Sequence, residues 1–280
     1  MSWDSNKKIE NINLVERPSF DLGAVADFAK VNLDLLNSYK TENKEEQPGV
    51  ISTMTALHLY KPDLKSLKIL DMGCGLNAPV DRLIKKEGAD LIGCDENPGV
   101  YEEFLSNNLH YEKRGNVPAG LEFPIYNNLE DIPSGKNYFD AVVAIRFFGF
   151  PLLRRDGQKT GYSVAKGEPY VDWLENYDLQ ATKSEYLKQL QDLVDPLKKE
   201  GIAIFVFQPN LSFNTLGEED VWNNIISVSN LNNLGFKVLK NRQAETENAF
   251  DNYYGSNDEL KKILPDLASD WRETVILQKT

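Results

Sequence analysis

Residues 67–78 of this 280-residue chain read Leu-Lys-Ile-Leu-Asp-Met-Gly-Cys-Gly-Leu-Asn-Ala. The apolar run predicts a strand that ends at Asp71, and a helix is expected to begin near Ala78. Gly73 and Gly75 permit a tight turn between the two elements and let a ligand approach the backbone closely. Free N–H groups at the start of the helix favour a carboxylate or a phosphate. The stretch therefore predicts a ligand site at the carboxyl end of a first strand.

From this stretch onward the chain alternates short apolar runs with amphipathic segments. Nearly continuous hydrophobicity suits strands that are buried on both faces of a parallel sheet. Strand–helix alternation indicates an α/β fold with right-handed crossovers. The predicted strands cover 67–72, 89–95, 121–126, 139–145, 202–208, 236–241 and 273–280, and the predicted helices between them cover 80–87, 100–111 and 184–199.

The two ends of the chain differ in character, which suggests a division near residue 60. Residues 1–60 are polar, with helical spacing over 21–40 and 50–60, and are predicted to form an N-terminal helical cap. Residues 61–280 form the predicted α/β domain. Two stretches in it, 147–179 and 243–271, exceed the roughly 2–6 residues of ordinary connections and are predicted to be insertions that serve as lids or binding loops.

Composition excludes several functional classes. The chain has 31 Lys and Arg against 43 Asp and Glu, a net charge of −12, and no long basic tract, which disfavours a nucleic-acid partner. No apolar run approaches the roughly 20 residues needed to span a bilayer, and residues 1–20 lack the apolar core of a secretory signal. We therefore expect a cytoplasmic protein without a membrane partner. Two cysteines make neither a disulfide framework nor a zinc cluster.

Two acidic residues narrow the class of ligand. Asp95 lies 20 residues after Gly75 at the end of the second strand, where a carboxylate accepts hydrogen bonds from ribose hydroxyls. Asp71, two positions before Gly73, would repel a pyrophosphate but attract a cationic amino acid moiety. Gly73-x-Gly75-x-x-Ala78 nevertheless matches the dinucleotide fingerprint formally, so an NAD-dependent oxidoreductase is the alternative.

Four segments in order resemble class I S-adenosylmethionine-dependent methyltransferases, over roughly residues 60–240. LDMGCGLN resembles the glycine-rich first motif, and IGCDENP resembles the second-strand end with its ribose-binding acid. LEDIPSGKNYFDAVVA resembles the passage from the third to the fourth strand, and LVDPLKKEGIAIFVF resembles the helix–strand segment that follows. The chain departs from the pattern at Asn77 and Glu200, where the family usually has glycine. The resemblance implies a three-layer Rossmann-like methyltransferase fold, a mostly parallel seven-stranded sheet with helices on both faces, and S-adenosyl-L-methionine as cofactor.

The resemblance and the positions of individual residues together give candidates for the ligand contacts. Arg146-Phe-Phe-Gly-Phe-Pro replaces the Asn/Asp-Pro-Pro-Tyr/Phe of enzymes that methylate base amines or glutamine amides, which disfavours those acceptors. We expect in-line transfer to a small molecule or short peptide, on oxygen, without a metal; no catalytic base is assigned, because only some acceptors need one. A non-catalytic partner subunit of the same fold is a further alternative. The cofactor candidates are Asp71, Gly73, Cys74, Gly75, Asp95, Glu96, Asn127, Asn128 and Arg146, and the acceptor candidates are His58, Phe147, Arg154, Arg155 and Tyr162.

Overall fold

The computed structural model describes residues 20–42, 49–74, 79–95, 123–126, 128–132, 136–145, 178–206, 227–241 and 258–280. The α-helices of these ranges are α1 (Leu22–Val31), α2 (Leu33–Glu42), α3 (Val50–Tyr60), α4 (Pro79–Lys86), α5 (Leu179–Val194), α6 (Val228–Asn233) and α7 (Leu260–Arg272). The strands are β1 (Lys68–Met72), β2 (Asp90–Cys94), β3 (Ile125–Tyr126), β4 (Phe139–Ile145), β5 (Leu197–Val206), β6 (Phe236–Lys240) and β7 (Thr274–Lys279).

The strands form one seven-stranded sheet in the order β3-β2-β1-β4-β5-β7-β6. Strands β1 to β5 pair in parallel, and β7 runs antiparallel to both of its neighbours. The predicted mostly parallel seven-stranded α/β sheet is therefore confirmed. The chain leaves β1 toward β2 and β3 on one side and then returns to β4 on the other. This reversal places a topological switch point at the carboxyl ends of β1 and β4, the place where open α/β sheets bind ligands.

Alternate side chains of the central strands enter two hydrophobic clusters. Ala141 and Val143 of β4 belong to the first cluster, whereas Val142 and Ala144 belong to the second, as expected from the two-residue period of a strand. The first cluster includes buried side chains from α1, α2, α3, α4 and α7. The second includes buried side chains from α5 and α6. Both sets of strand side chains are thus removed from water, which explains the continuous apolar runs in the sequence.

Several element boundaries differ from the predictions. The predicted helix over 21–40 is two helices, because Asn32 leaves the helical conformation with a φ of −112° and a ψ of 30°, and its side-chain N–H donates to the Phe28 carbonyl. Helix α5 ends at Val194 rather than residue 199, and β5 begins at Leu197. The extra length of β5 is an irregularity in its pairing with β4, in which Glu200 takes a left-handed φ of 64°.

One core continues across residue 60, where the sequence suggested a boundary. Ten of the eleven residues of α3 are buried, and this helix packs against strands β4, β5 and β7.

Residues 260–271 of the predicted second insertion form most of α7, the helix that connects β6 to β7. The predicted helix over 100–111 and the insertion over 147–179 lie outside the described residues. No helix in the described ranges is both long enough and apolar enough to cross a membrane.

Candidate functional site

The turn that follows β1 is held against the end of β2. Gly73 has a φ of 72°, a left-handed conformation that costs an L-residue with a side chain about 1–2 kcal/mol. Its N–H donates to the Cys94 carbonyl over 2.7 Å, and the Cys74 N–H donates to the same carbonyl over 3.3 Å. The first glycine of the motif is therefore required by the turn itself, and the turn lies at the carboxyl edge of the sheet.

Gly93 makes room beneath this turn for the Cys74 side chain. A Cβ placed on Gly93 would lie 2.8 Å from Cys74 Sγ, closer than such contacts occur, and a tight 3.0 Å from Phe123 Cε2. Cys74 is buried, and burial followed by the nearby carboxylates raises the pKa of its thiol. Its thiol is consequently held in the neutral form and fills space, while its backbone N–H helps to fix the turn.

Carboxyl groups concentrate around this turn. Asp71 at the end of β1 and Asp81 in the first turn of α4 are 2 % and 1 % exposed, and each side chain acts on the pKa of the other. Asp95 directly follows β2 and is close enough to Asp71 to raise the pKa of the Asp71 carboxyl. Arg82 is the cation that acts on Asp81. The site therefore carries more negative than positive charge among these four residues.

Asp81 was missed by sequence reasoning. An acidic residue in the first turn of a helix ordinarily interacts with the helix dipole on an exposed surface, so its type and position gave no signal of burial. The amphipathic pattern of α4 contained a usable hint. Asp81 directly follows Val80 and precedes Leu83 by two positions, and both of those apolar side chains are buried.

Burial changes the protonation of the carboxyl pair. Removal from water raises the pKa of Asp71 to about 7, the hydrogen bond with Asp81 lowers it, and Asp95 raises it further. Burial, the charge of Asp71 and the shared hydrogen bond all raise the pKa of Asp81 well above its ordinary value. Both pKa values are therefore raised, and the pair keeps a proton at a pH where an ordinary aspartate has lost it.

The charges around the turn fit a cationic ligand better than an anionic one. The methionyl part of S-adenosylmethionine carries an ammonium and a sulfonium, which the carboxylates attract. The pyrophosphate of a dinucleotide would instead meet two buried carboxyls and Asp95. Asp81 Oδ1 is also buried, and among the described residues it has no hydrogen-bond partner. A ligand that brings a positive donor would match this arrangement.

The remaining cofactor candidates divide into those that the structure describes and those that it does not. Asp95 is half-buried at the carboxyl end of β2, and its N–H donates to the Tyr126 carbonyl over 3.0 Å. Asn128 is exposed just beyond β3, and its Nδ2 donates to Asp131 Oδ2 over 3.1 Å. The other predicted site residues lie outside the described residues: Gly75, Glu96, Asn127, Arg146, Phe147, Arg154, Arg155 and Tyr162.

His58 is not brought to this edge of the sheet. Helix α3 begins at the carboxyl ends of β4 and β5, where a Cβ on Gly49 would touch Ile145 and Val206. It ends at the opposite edge, where the Tyr60 hydroxyl donates to the Glu200 carbonyl. His58 lies near that end, and this placement corrects its expected role as an acceptor-binding residue.

The ring of His58 is instead occupied by a buried polar cluster. His58 Nε2 lies 2.7 Å from the Tyr39 hydroxyl oxygen and 3.0 Å from Glu87 Oε2. Its Nδ1 lies 3.2 Å from the Pro62 carbonyl oxygen, which can only accept, so Nδ1 is the donor. The Tyr39 hydroxyl also donates to Glu87 Oε1. These bonds join α2, α3 and the end of α4 and give His58 a structural role.

Within the described ranges, no group of three or more His, Cys, Asp or Glu side chains could hold a metal ion. No protein-family profile matches the chain, and no curated protein matches it in sequence.

Solved structures similar to this chain include several methyltransferases. Magnesium protoporphyrin IX methyltransferase from Synechocystis PCC 6803, with bound S-adenosylhomocysteine, is 11 % identical at a TM-score of 0.42, over 99 % of this chain and 94 % of that one. An S-adenosylmethionine-dependent methyltransferase from Mesorhizobium loti is 14 % identical at a TM-score of 0.41, and the match covers 81 % of this chain and 98 % of that one. A ribosomal protein L11 methylase from Lactobacillus delbrueckii subsp. bulgaricus is 13 % identical at a TM-score of 0.39, and the match covers 83 % of this chain and 78 % of that one. Similarity at this level assigns neither an acceptor nor a site residue to this chain.

Proposed function

We propose that this protein is an S-adenosylmethionine-dependent methyltransferase. The observation that supports the proposal is the cluster of Asp71, Asp81 and Asp95 beside the Gly73 turn, at the carboxyl ends of parallel strands. A turn of this kind admits a nucleoside close to the backbone. The carboxyls supply the negative charge that a ligand with an ammonium and a sulfonium requires.

Each described residue of the site has a defined task in this proposal. Asp95 accepts hydrogen bonds from the ribose hydroxyls, and Asp71 faces the positively charged methionyl part. Gly73 keeps the turn open to the ligand, and Asn128 is a candidate contact of the adenine. S-adenosylmethionine, when bound, supplies a methyl group already activated on sulfur. The protein then needs chiefly to hold the acceptor atom in line with that methyl, and such orientation contributes about 7–11 kcal/mol in favourable cases.

The proposed acceptor is a small molecule or short peptide that is methylated on oxygen. Support comes from the sequence of 147–179, which combines aromatic residues with Arg154 and Arg155. Aromatic side chains bind an apolar or aromatic body, and arginine binds an acid group. We also propose that helices cover both faces of the sheet in three layers, that residues 1–60 form a cap, and that the protein is cytoplasmic.

The acidic cluster disfavours the NAD-dependent oxidoreductase, because the cluster would repel a pyrophosphate. A non-catalytic partner subunit would share the cofactor site but lack a working acceptor pocket. Turnover therefore distinguishes the proposed enzyme from this second alternative, whereas cofactor binding does not.

The test is a screen for methylated products. The purified protein is incubated with S-adenosylmethionine and pools of carboxylic acids, phenols and acidic short peptides, and products are identified by the mass of one added methylene. The expected result is a methylated oxygen on one class of these compounds. Asp95→Ala should reduce the amount of this product. Glu130→Ala, which removes an exposed carboxylate beyond β3, should leave it unchanged. A nucleic-acid pool is screened alongside, and methylated nucleic acid as the product would contradict the proposed acceptor.

A further inference from the structure

The Asp71–Asp81 pair requires a proton in the free protein. Two ionised carboxylates have no hydrogen to share, yet the buried carboxyl groups of Asp71 and Asp81 lie close enough to shift each other's pKa. Both side chains are almost fully removed from water, so two adjacent negative charges would be poorly solvated there. The arrangement is that of a carboxyl dyad in which one proton lies between two oxygens.

The groups around the dyad come from three elements. Asp95 follows β2 and adds negative charge, and the buried thiols of Cys74 and Cys94 lie in the same space. Arg82 of α4 lowers the pKa of Asp81, and the start of α4 also favours an anion there. With one proton on the dyad, the remaining carboxylate and Asp95 still outnumber Arg82. A further cation would be bound favourably at this place.

Asp81 Oδ1 is an acceptor in need of a donor. It is buried, and it has no hydrogen-bond partner among the described residues. A buried acceptor without a partner ordinarily costs about 1–3 kcal/mol. Asp81 lies next to the Gly73 turn, where a ligand bound at the turn could donate a hydrogen bond to Oδ1 and so remove this cost.

We propose that Asp81 is a second carboxylate for the cofactor's ammonium group, and that binding of this group expels the proton shared by Asp71 and Asp81. This inference rests on the proposed methyltransferase function. The ammonium replaces the proton as the positive charge between the two carboxylates, donates to Asp81 Oδ1, and the expelled proton passes to solvent. No covalent bond to the ligand forms or breaks in this exchange.

The exchange makes cofactor affinity depend on pH with a defined sign. A cation binds the deprotonated dyad better, so affinity increases as pH rises, by up to tenfold per pH unit when one proton is released. Burial and the charge of Asp71 raise the pKa of Asp81 well above its ordinary value, so the dyad still holds a proton at neutral pH. A ligand without an ammonium group would bind the same pocket without releasing the proton.

Isothermal titration calorimetry of the full chain tests this exchange. S-adenosylhomocysteine carries the ammonium group, whereas 5′-methylthioadenosine keeps the adenosyl part and lacks it. Each ligand is titrated between pH 6 and pH 8 in phosphate and in Tris, two buffers with different heats of ionisation. We expect about one proton released on binding of S-adenosylhomocysteine near pH 7, and none with 5′-methylthioadenosine.

Asp81→Asn is the decisive variant, because the amide keeps the shape and loses the charge. We expect S-adenosylhomocysteine to bind at least tenfold more weakly at pH 8, without proton release, and 5′-methylthioadenosine to bind within twofold of wild type. Asp90→Asn is the matched control, since Asp90 is exposed at the opposite end of β2 and should behave as wild type. Retained binding of 5′-methylthioadenosine also shows that the variant is folded.

The outcomes separate this inference from the proposed function. Equal heats in the two buffers, or unchanged proton release in Asp81→Asn, would overturn the inference while leaving the methyltransferase proposal intact. If neither ligand binds the wild-type protein, the proposed function fails and the inference fails with it. Infrared spectra of the ligand-free protein add an independent readout: a protonated carboxyl band that Asp81→Asn removes supports the dyad, and its absence in wild type contradicts it.

Discussion

Asp71 illustrates how the fold sets the chemistry of a single side chain. Its pKa is about 7 in the folded chain, chiefly because of burial, against an ordinary value of 3.8. The folded state therefore binds a proton between about pH 4 and pH 7 that the unfolded state has released. The contribution of Asp71 to the free energy of unfolding therefore falls as pH rises through this window, by up to about 1.4 kcal/mol per pH unit.

Asp71→Asn should flatten that profile. The amide cannot titrate, so the free energy of unfolding should change less between pH 5 and pH 7.5 than it does in wild type. Urea unfolding at the two pH values measures the slope, and Asp90→Asn should keep the wild-type slope because Asp90 is exposed. A variant with the wild-type slope would show that Asp71 ionises normally in the folded chain.

Asp95→Ala tests the ribose contact. Loss of a charged acceptor for the ribose hydroxyls should weaken S-adenosylhomocysteine binding by about 10-fold to 100-fold, since such hydrogen bonds contribute about 1.5–3 kcal/mol. Binding calorimetry measures the change in affinity. Glu130→Ala, which removes an exposed carboxylate nearby, is the control and should bind as wild type. Equal affinity of Asp95→Ala and wild type would exclude Asp95 from the ribose site.

Among the elements, β5 contains a local irregularity at its start. Glu200 has a left-handed φ of 64°, in the place where the resembling family has glycine. Glu200→Gly should raise the free energy of unfolding by up to about 1 kcal/mol, because relief of the left-handed backbone outweighs the lost chain entropy. Urea unfolding measures the gain. Lys199→Gly, at the adjacent exposed position, should instead destabilise the protein, and a gain there would contradict the explanation.

Helices α2, α3 and α4 are joined by the cluster of Tyr39, His58 and Glu87. Tyr39→Phe removes the hydroxyl that contacts both of the other side chains, and the buried groups left behind should cost about 1–3 kcal/mol. Thermal unfolding measures this loss. Tyr138→Phe is the control, because Tyr138 lies outside this cluster, where its ring packs edge to face on Phe139. Equal stability of the two variants would exclude a structural role for the cluster.

In the whole molecule, the sheet was predictable because strands buried on both faces leave continuous apolar runs. All seven strands were predicted, although β5 starts five residues earlier than the predicted strand. Details that depend on tertiary contacts were not predictable. The pairing of Asp71 with Asp81 requires β1 and α4 to pack together, and the placement of His58 requires the direction of α3. The position of Asp95 after β2 and that of Gly73 in the turn after β1 were predictable, because strand ends and left-handed turns have local sequence signals.

The most direct test of the central claim is calorimetric titration of the full chain with S-adenosylmethionine, S-adenosylhomocysteine and NAD in parallel. We expect the first two ligands to bind and NAD to give no heat of binding, because the carboxyls around the Gly73 turn attract an ammonium and repel a pyrophosphate. Binding of NAD alone would contradict the account and favour an oxidoreductase.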